Sequence, residues 1–189
     1  HPKYAEYARD IGDAGKNLHG KIGDILEFAN IEAGRYPLNE EPVELAMRYQ
    51  KPSIGEALCH LLANGVNDLL VIPMFPHYAM SSFGTAAERV KRVAAALAPR
   101  MSLTVVSPYY YDSGYIGALA ASAADDLERG YDHLLFSFHG LPERHLRKAD
   151  PTGRYCLASS NCCAGESPVH RTCYRAQCFK TVRAFVQRA

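Results

Sequence analysis

Five of the six cysteines fall between Cys156 and Cys178, spaced Cys156-x5-Cys162-Cys163-x9-Cys173-x4-Cys178. The first ten residues, HPKYAEYARD, have no basic-then-apolar leader pattern, so a cytoplasmic chain is expected, where disulfides are disfavoured. A clustered set of thiols then points to metal binding or redox chemistry. The spacing does not match the paired CxxC of a zinc ribbon. Irregularly spaced thiolates from one wrapped loop suit iron–sulfur ligation instead. From His139 onward there are nine Lys/Arg against three Asp/Glu, and those cations offset the negative charge of a four-thiolate cluster. Free surface thiols or adventitious zinc are the plainer alternative. Cys59 sits in an amphipathic pattern and is expected to be a buried apolar residue.

A second set of chemically capable residues lies where strand-like runs end. Val43–Tyr49 delivers Arg48 and Tyr49. Asp68–Met74 runs into Phe75, His77, Tyr78, Met80 and Ser81. His133–Phe138 ends at His139, followed by Gly140 and Pro142. An imidazole at a crevice mouth titrates near neutrality and accepts a proton or ligates a metal. A strand-end histidine also serves as a plain structural hydrogen-bonder.

The elements that must position these groups alternate. Strand-like runs at Val43–Tyr49, Asp68–Met74, Leu103–Val106 and His133–Phe138 interleave with helical patterns at Ser53–Asn64, Ser82–Leu97, Tyr115–Arg129 and from about Ala176 to the end. That order predicts βαβ units, an open parallel sheet and an α/β fold with flanking helices. Ligands in such sheets bind beyond the carboxyl ends of the strands. Leu69–Ile72 and Leu134–Phe136 are almost wholly apolar, as strands covered on both faces should be. Gly130 stands where the third helix should stop.

Residues 1–34 form a separate pattern, one long helix with a narrow apolar seam at Tyr4, Tyr7, Ile11, Ala14, Leu18, Ile22, Ile25 and Ala29. Four glycines in it weaken an isolated helix, so it must lean on a partner. The boundary falls around Tyr36–Val43, dividing a helical segment (1–39) from an α/β domain (40–189). At 189 residues and 48% apolar the chain is long enough for a real core and is not disordered. A formal net charge of +1 gives no reason to expect a nucleic-acid partner. No run approaches the roughly 20 apolar residues of a membrane span.

Four stretches, in order, resemble signatures of the ferrochelatases: ELAMRYQKPS (Glu44–Ser53), LVIPMFPHYAMSSFG (Leu70–Gly84), PYYYDSGYIGA (Pro108–Ala118) and FSFHGLPER (Phe136–Arg144). The resemblance implies insertion of Fe(II) into protoporphyrin IX, with His139 as the active-site histidine and ferrous iron as its metal. It implies Arg48 near porphyrin propionates, with Tyr49, Phe75, Tyr78 and Met80 as flat or apolar surface and Ser81 beside them. Where the family often has Gln-Tyr-Ser, this chain has His77-Tyr78-Ala79. Cys156–Cys178, ending CYRAQC, resembles the cysteine-rich insertion of bacterial ferrochelatases with a [2Fe–2S] cluster. Four of Cys156, Cys162, Cys163, Cys173 and Cys178 would bind it, and adjacent Cys162 and Cys163 can both do so only across a sharp turn.

Two features of the family are not matched: the NLGTP-type opening loop, and the second domain with its acidic residue facing the histidine. Impaired activity of this chain alone is therefore expected. Residues 1–39 instead resemble the second dimerisation helix of sensor histidine kinases, including IEAG (Ile31–Gly34), which suggests a homodimer. Peripheral membrane contact is a further partner expectation. A single-domain chelatase for another tetrapyrrole, or an inactive iron–sulfur interaction module, are the competing readings.

Overall fold

The computed structural model describes residues 42–188. The expected N-terminal helix lies outside the described residues. Helix α1 (Ile54–Ala63) is started by its own sequence. The Ser53 hydroxyl accepts the Glu56 N–H at 3.2 Å, and the Glu56 carboxylate accepts the Ser53 N–H at 2.7 Å. This reciprocal cap satisfies two N–H groups a helix start otherwise leaves open. The buried stripe of α1 is Ile54, Ala57, Leu58 and Leu61, at helical spacing. Cys59 lies off that stripe and is exposed, contrary to the expectation that it is buried.

Strand β1 (Asp68–Val71) pairs in parallel with β2 (Ser102–Val105), in register Asp68 with Ser102 through Val71 with Val105. Between them run a π-helical turn (Met80–Gly84) and helix α2 (Thr85–Leu97), which complete a βαβ unit. The parallel α/β architecture is therefore as expected. Leu69 and Leu103 pack with Val90, Val93 and Ala94 of α2 and with Ile54 and Leu58 of α1. Only that face of the sheet is covered by the described helices. Leu70 on the other face is 59% exposed, which corrects the expectation of a sheet covered on both sides.

Two further expectations need correction. Val43–Tyr49 is not a strand; it contributes a single bridge, Met47 with Ser53. His133–Phe138 is likewise outside the described strands, and Leu135 is 90% exposed. Apolar content alone does not pair a strand; a ladder needs a neighbour at the right register.

Helix α3 (Ser113–Glu128) is capped by the Asp112 carboxylate, which accepts the N–H groups of Gly114 and Tyr115. It ends at Gly130, whose φ of +76° is the left-handed stop that glycine adopts freely. A short helix, α4 (Glu143–Ala149), a 3₁₀ turn (Pro168–Arg171) and a final helix, α5 (Tyr174–Arg188), follow. Helix α5 packs on α3 and carries the residues that organise the site. Among the described residues no helix is long and apolar enough to cross a membrane.

Candidate functional site

The segment carrying His139 has no ladder to hold it, so aromatic contacts do that work. The Phe136 ring sits edge-on to Phe185 of α5 with centroids 5.3 Å apart, and Phe138 sits edge-on to His77 at 5.5 Å. His139 is exposed and lines a cavity of about 420 Å³ together with Phe136, Phe138, Leu141, Tyr174 and Cys178. The lining is mostly apolar, with few polar atoms, as in sites for flat organic ligands. Tyr174, at the start of α5, lines the cavity beside His139 and Cys178. Burial, with the neighbouring Cys178, pushes the Tyr174 hydroxyl up to about 12, so it stays a neutral donor.

The loop after β1 is fastened to α5 at two consecutive residues. His77 Nε2 lies 2.8 Å from the Thr181 hydroxyl, which itself donates to the Tyr110 carbonyl. The hydroxyl proton is thus committed, and His77 Nε2–H is the donor in the first bond. Burial among Tyr110, Phe138 and Tyr174 holds the His77 pKa below its ordinary value. The Tyr78 N–H donates to Gln177 Oε1 at 2.6 Å. At the loop's other end the Tyr78 ring lies against Gly84 and packs beside Phe83 at 5.9 Å between centroids.

Arg48 donates from Nη1 to the Ser81 carbonyl at 2.9 Å and lies over the Tyr49 ring at 4.4 Å. Arg48, Tyr49 and Ser81 are therefore brought together. Tyr49 (81% exposed), Phe75 and Met80 all stay out of the core, so packing does not account for them. In the tyrosine run, Tyr110 is buried, Tyr109 packs edge-on to Tyr115, and Tyr111 is exposed.

Four thiols, Cys156, Cys162, Cys163 and Cys173, share one buried cluster with Val169 and Ala176. All are free, and so is Cys178. Cys162 Sγ lies 3.8 Å from Cys163 Sγ, and Cys173 neighbours both Cys156 and Cys163. The sharp turn the adjacent pair needs is present, closed by the Ala164 N–H on the Asn161 carbonyl at 2.8 Å. Among the described residues no three His, Cys, Asp or Glu side chains converge on one point as a mononuclear site requires. Burial and the nearby Cys173 push the Cys156 and Cys163 thiols up to about 12, and burial pushes Cys178 up to about 11. Arg175 acts the other way on Cys163. Such thiols stay protonated unless a cation displaces the proton.

The turn presenting Cys156 is built around Asp150, which the sequence reading missed. Its carboxylate accepts from the backbone of Thr152, Tyr155 and Cys156 and from the Thr152 hydroxyl, all at 2.7–2.8 Å. Burial opposes ionisation, but these four donors outweigh it and hold the carboxyl well below the usual range. Directly after Cys156, Leu157 adopts φ of 62°, a left-handed conformation that costs a leucine energy. His170, also missed, is buried, with Nε2 2.9 Å from the Cys162 carbonyl and Nδ1 without a partner.

Comparison with known proteins identifies the family. The ferrochelatase family model matches residues 29–189. The chain belongs to the ferrochelatase family. Similar curated proteins, each named ferrochelatase, come from Opitutus terrae (49% identical over 79% of this chain), Azotobacter vinelandii (47% over 83%) and Stutzerimonas stutzeri (46% over 78%). The match covers 44%, 47% and 44% of those three proteins, so the chain spans less than half of each. The ferrochelatase match opens at residue 29, inside the segment read as a helical arm. No solved structure matches.

Proposed function

We propose that this chain supplies the histidine-bearing wall of a ferrochelatase site, for insertion of Fe(II) into protoporphyrin IX. The observation that carries the reading is His139 at the edge of the apolar cavity, on a segment pinned by Phe136 and Phe138. Metallation removes two pyrrole N–H protons while Fe(II) exchanges its waters for four nitrogens. A neutral imidazole at His139 accepts such a proton or hands on the metal. Arg48 offers a guanidinium suited to a propionate carboxylate, and Tyr49, Phe75, Tyr78 and Met80 offer faces for the macrocycle. Titrating the chain with protoporphyrin IX and following porphyrin fluorescence tests the first step. Saturable binding, weakened severalfold by Arg48→Ala, is expected; no saturable binding contradicts the reading.

The same proposal includes a [2Fe–2S] cluster held by Cys156, Cys162, Cys163 and Cys173, with Cys178 outside it. The reading is supported by the four thiols sharing one buried cluster in which Cys162 and Cys163 form a close pair. Tetrahedral metal–sulfur bonds of about 2.3 Å place two ligand sulfurs about 3.8 Å apart. That matches the 3.8 Å between Cys162 and Cys163. The cluster, when bound, supplies positive charge that displaces the thiol protons and cross-links the cysteine-rich segment. A cytoplasmic location, a helical arm over residues 1–39, dimerisation through it and peripheral membrane contact complete the reading. Sedimentation tests the dimer, and vesicle flotation tests the membrane contact.

A further inference from the structure

We propose that Gln177 is a positioning residue coupling the cysteine-rich segment to the porphyrin-facing loop; this rests on the function proposed above. The Gln177 side chain is fully buried. A carboxamide at such a position is costly unless its groups are used, and here all of them are. Oε1 accepts the Tyr78 N–H at 2.6 Å, while Nε2 donates to the carbonyls of His170 at 3.0 Å and Arg171 at 2.9 Å. The His170 ring in turn bonds the Cys162 carbonyl at 2.9 Å. One continuous chain of contacts thus runs from the paired thiols through His170 and Gln177 to Tyr78, across 99 residues of sequence in its last step.

The neighbouring tie, His77 to Thr181, holds the same loop and runs on to the Tyr110 and Gln177 carbonyls. The His77 ring also meets Tyr174 edge-on, but Gln177 is the side chain that hydrogen-bonds that loop to the His170 and Arg171 carbonyls. A change in the cysteine-rich segment that moves the His170 and Arg171 carbonyls must turn the carboxamide. Turning it withdraws the acceptor from the Tyr78 N–H. Tyr78 then loses its fixed place in the loop.

Backbone hydrogen exchange at residues 77–80 tests this in three chains, each loaded anaerobically with iron and sulfide and then stripped with chelator. In the wild type, stripping should speed exchange at Tyr78 about tenfold, within the usual range of coupling between sites. Gln177→Glu keeps an acceptor for Tyr78 and replaces two amide donors by at most one hydroxyl proton, so the tie to the cysteine side weakens and Tyr78 should stay largely protected in both states. Gln177→Leu loses both ends, and exchange there should be fast in both. Unchanged protection across 54–63 certifies the fold in each chain. A wild-type response that persists in Gln177→Glu overturns the coupling. If the chain takes up no iron and sulfide, the cluster reading fails on its own. The coupling is then read from Asp150→Ala, which loosens the cysteine turn without metal. Faster exchange at Tyr78 in that variant, absent once Gln177→Glu is added, supports it, and no change overturns it.

Discussion

The sulfur atoms of Cys162 and Cys163, adjacent in sequence, lie 3.8 Å apart inside a closed turn. Neighbouring side chains in extended backbone point to opposite sides, so this juxtaposition is a product of the turn. Both residues lie in the buried cluster that also holds Cys156 and Cys173.

Cysteine substitutions should therefore fall into two classes. Cys163→Ser should abolish the visible iron–sulfur absorption and reduce bound iron and sulfide toward zero. Cys178→Ser should retain both, since Cys178 lines the His139 cavity and is outside the thiol cluster. Anaerobic purification with iron and sulfide analysis decides; loss of the cluster in Cys178→Ser contradicts the ligand assignment.

Asp150 predicts a local effect of comparable reach. Asp150→Ala leaves three backbone N–H groups and a hydroxyl without their acceptor. The variant should show a lower thermal midpoint and fast labelling of Cys156 by a thiol reagent. A Cys156 as slow to label as in the wild type would show that the carboxylate does not hold the turn.

His77 makes stability depend on pH. Its pKa is lowered in the fold by burial, and it is surrounded by Tyr110, Phe138 and Tyr174, none of them charged near neutrality. The unfolded chain therefore takes up the proton more readily than the folded one. The contribution of a neutral His77 is complete above the ordinary value of 6.5 and is lost as pH falls below it toward the lowered folded value. Thermal midpoints measured from pH 7.5 to 5 should fall, and His77→Gln, which retains a donor for Thr181, should flatten that decline. An unchanged slope in the variant assigns the pH dependence to other groups.

What was legible in the sequence follows from the range of the forces involved. Ser53 with Glu56, and Gly130, act within a turn of their own helix, so α1 and the end of α3 lie close to where local pattern puts them. The runs Val43–Tyr49 and His133–Phe138 have strand-like composition, but pairing depends on a neighbour far away in sequence. Helix α4 has seven residues, too few for a periodic signal. Gln177 and Asp150 looked unremarkable because their importance lies in partners: Tyr78 is 99 residues from Gln177, and Asp150 acts on backbone N–H groups that carry no residue signature. The thiols and His139 stand out in the sequence as candidates because their chemistry resides in their own side chains.

The most direct test of the account is the initial rate of anaerobic Fe(II) insertion into protoporphyrin IX, comparing the wild-type chain with His139→Ala at saturating porphyrin. With the imidazole as proton acceptor or metal donor, the variant should bind porphyrin as before and lose about 100-fold or more in rate. A wild-type chain that metallates porphyrin at a rate unaffected by His139→Ala would contradict the account.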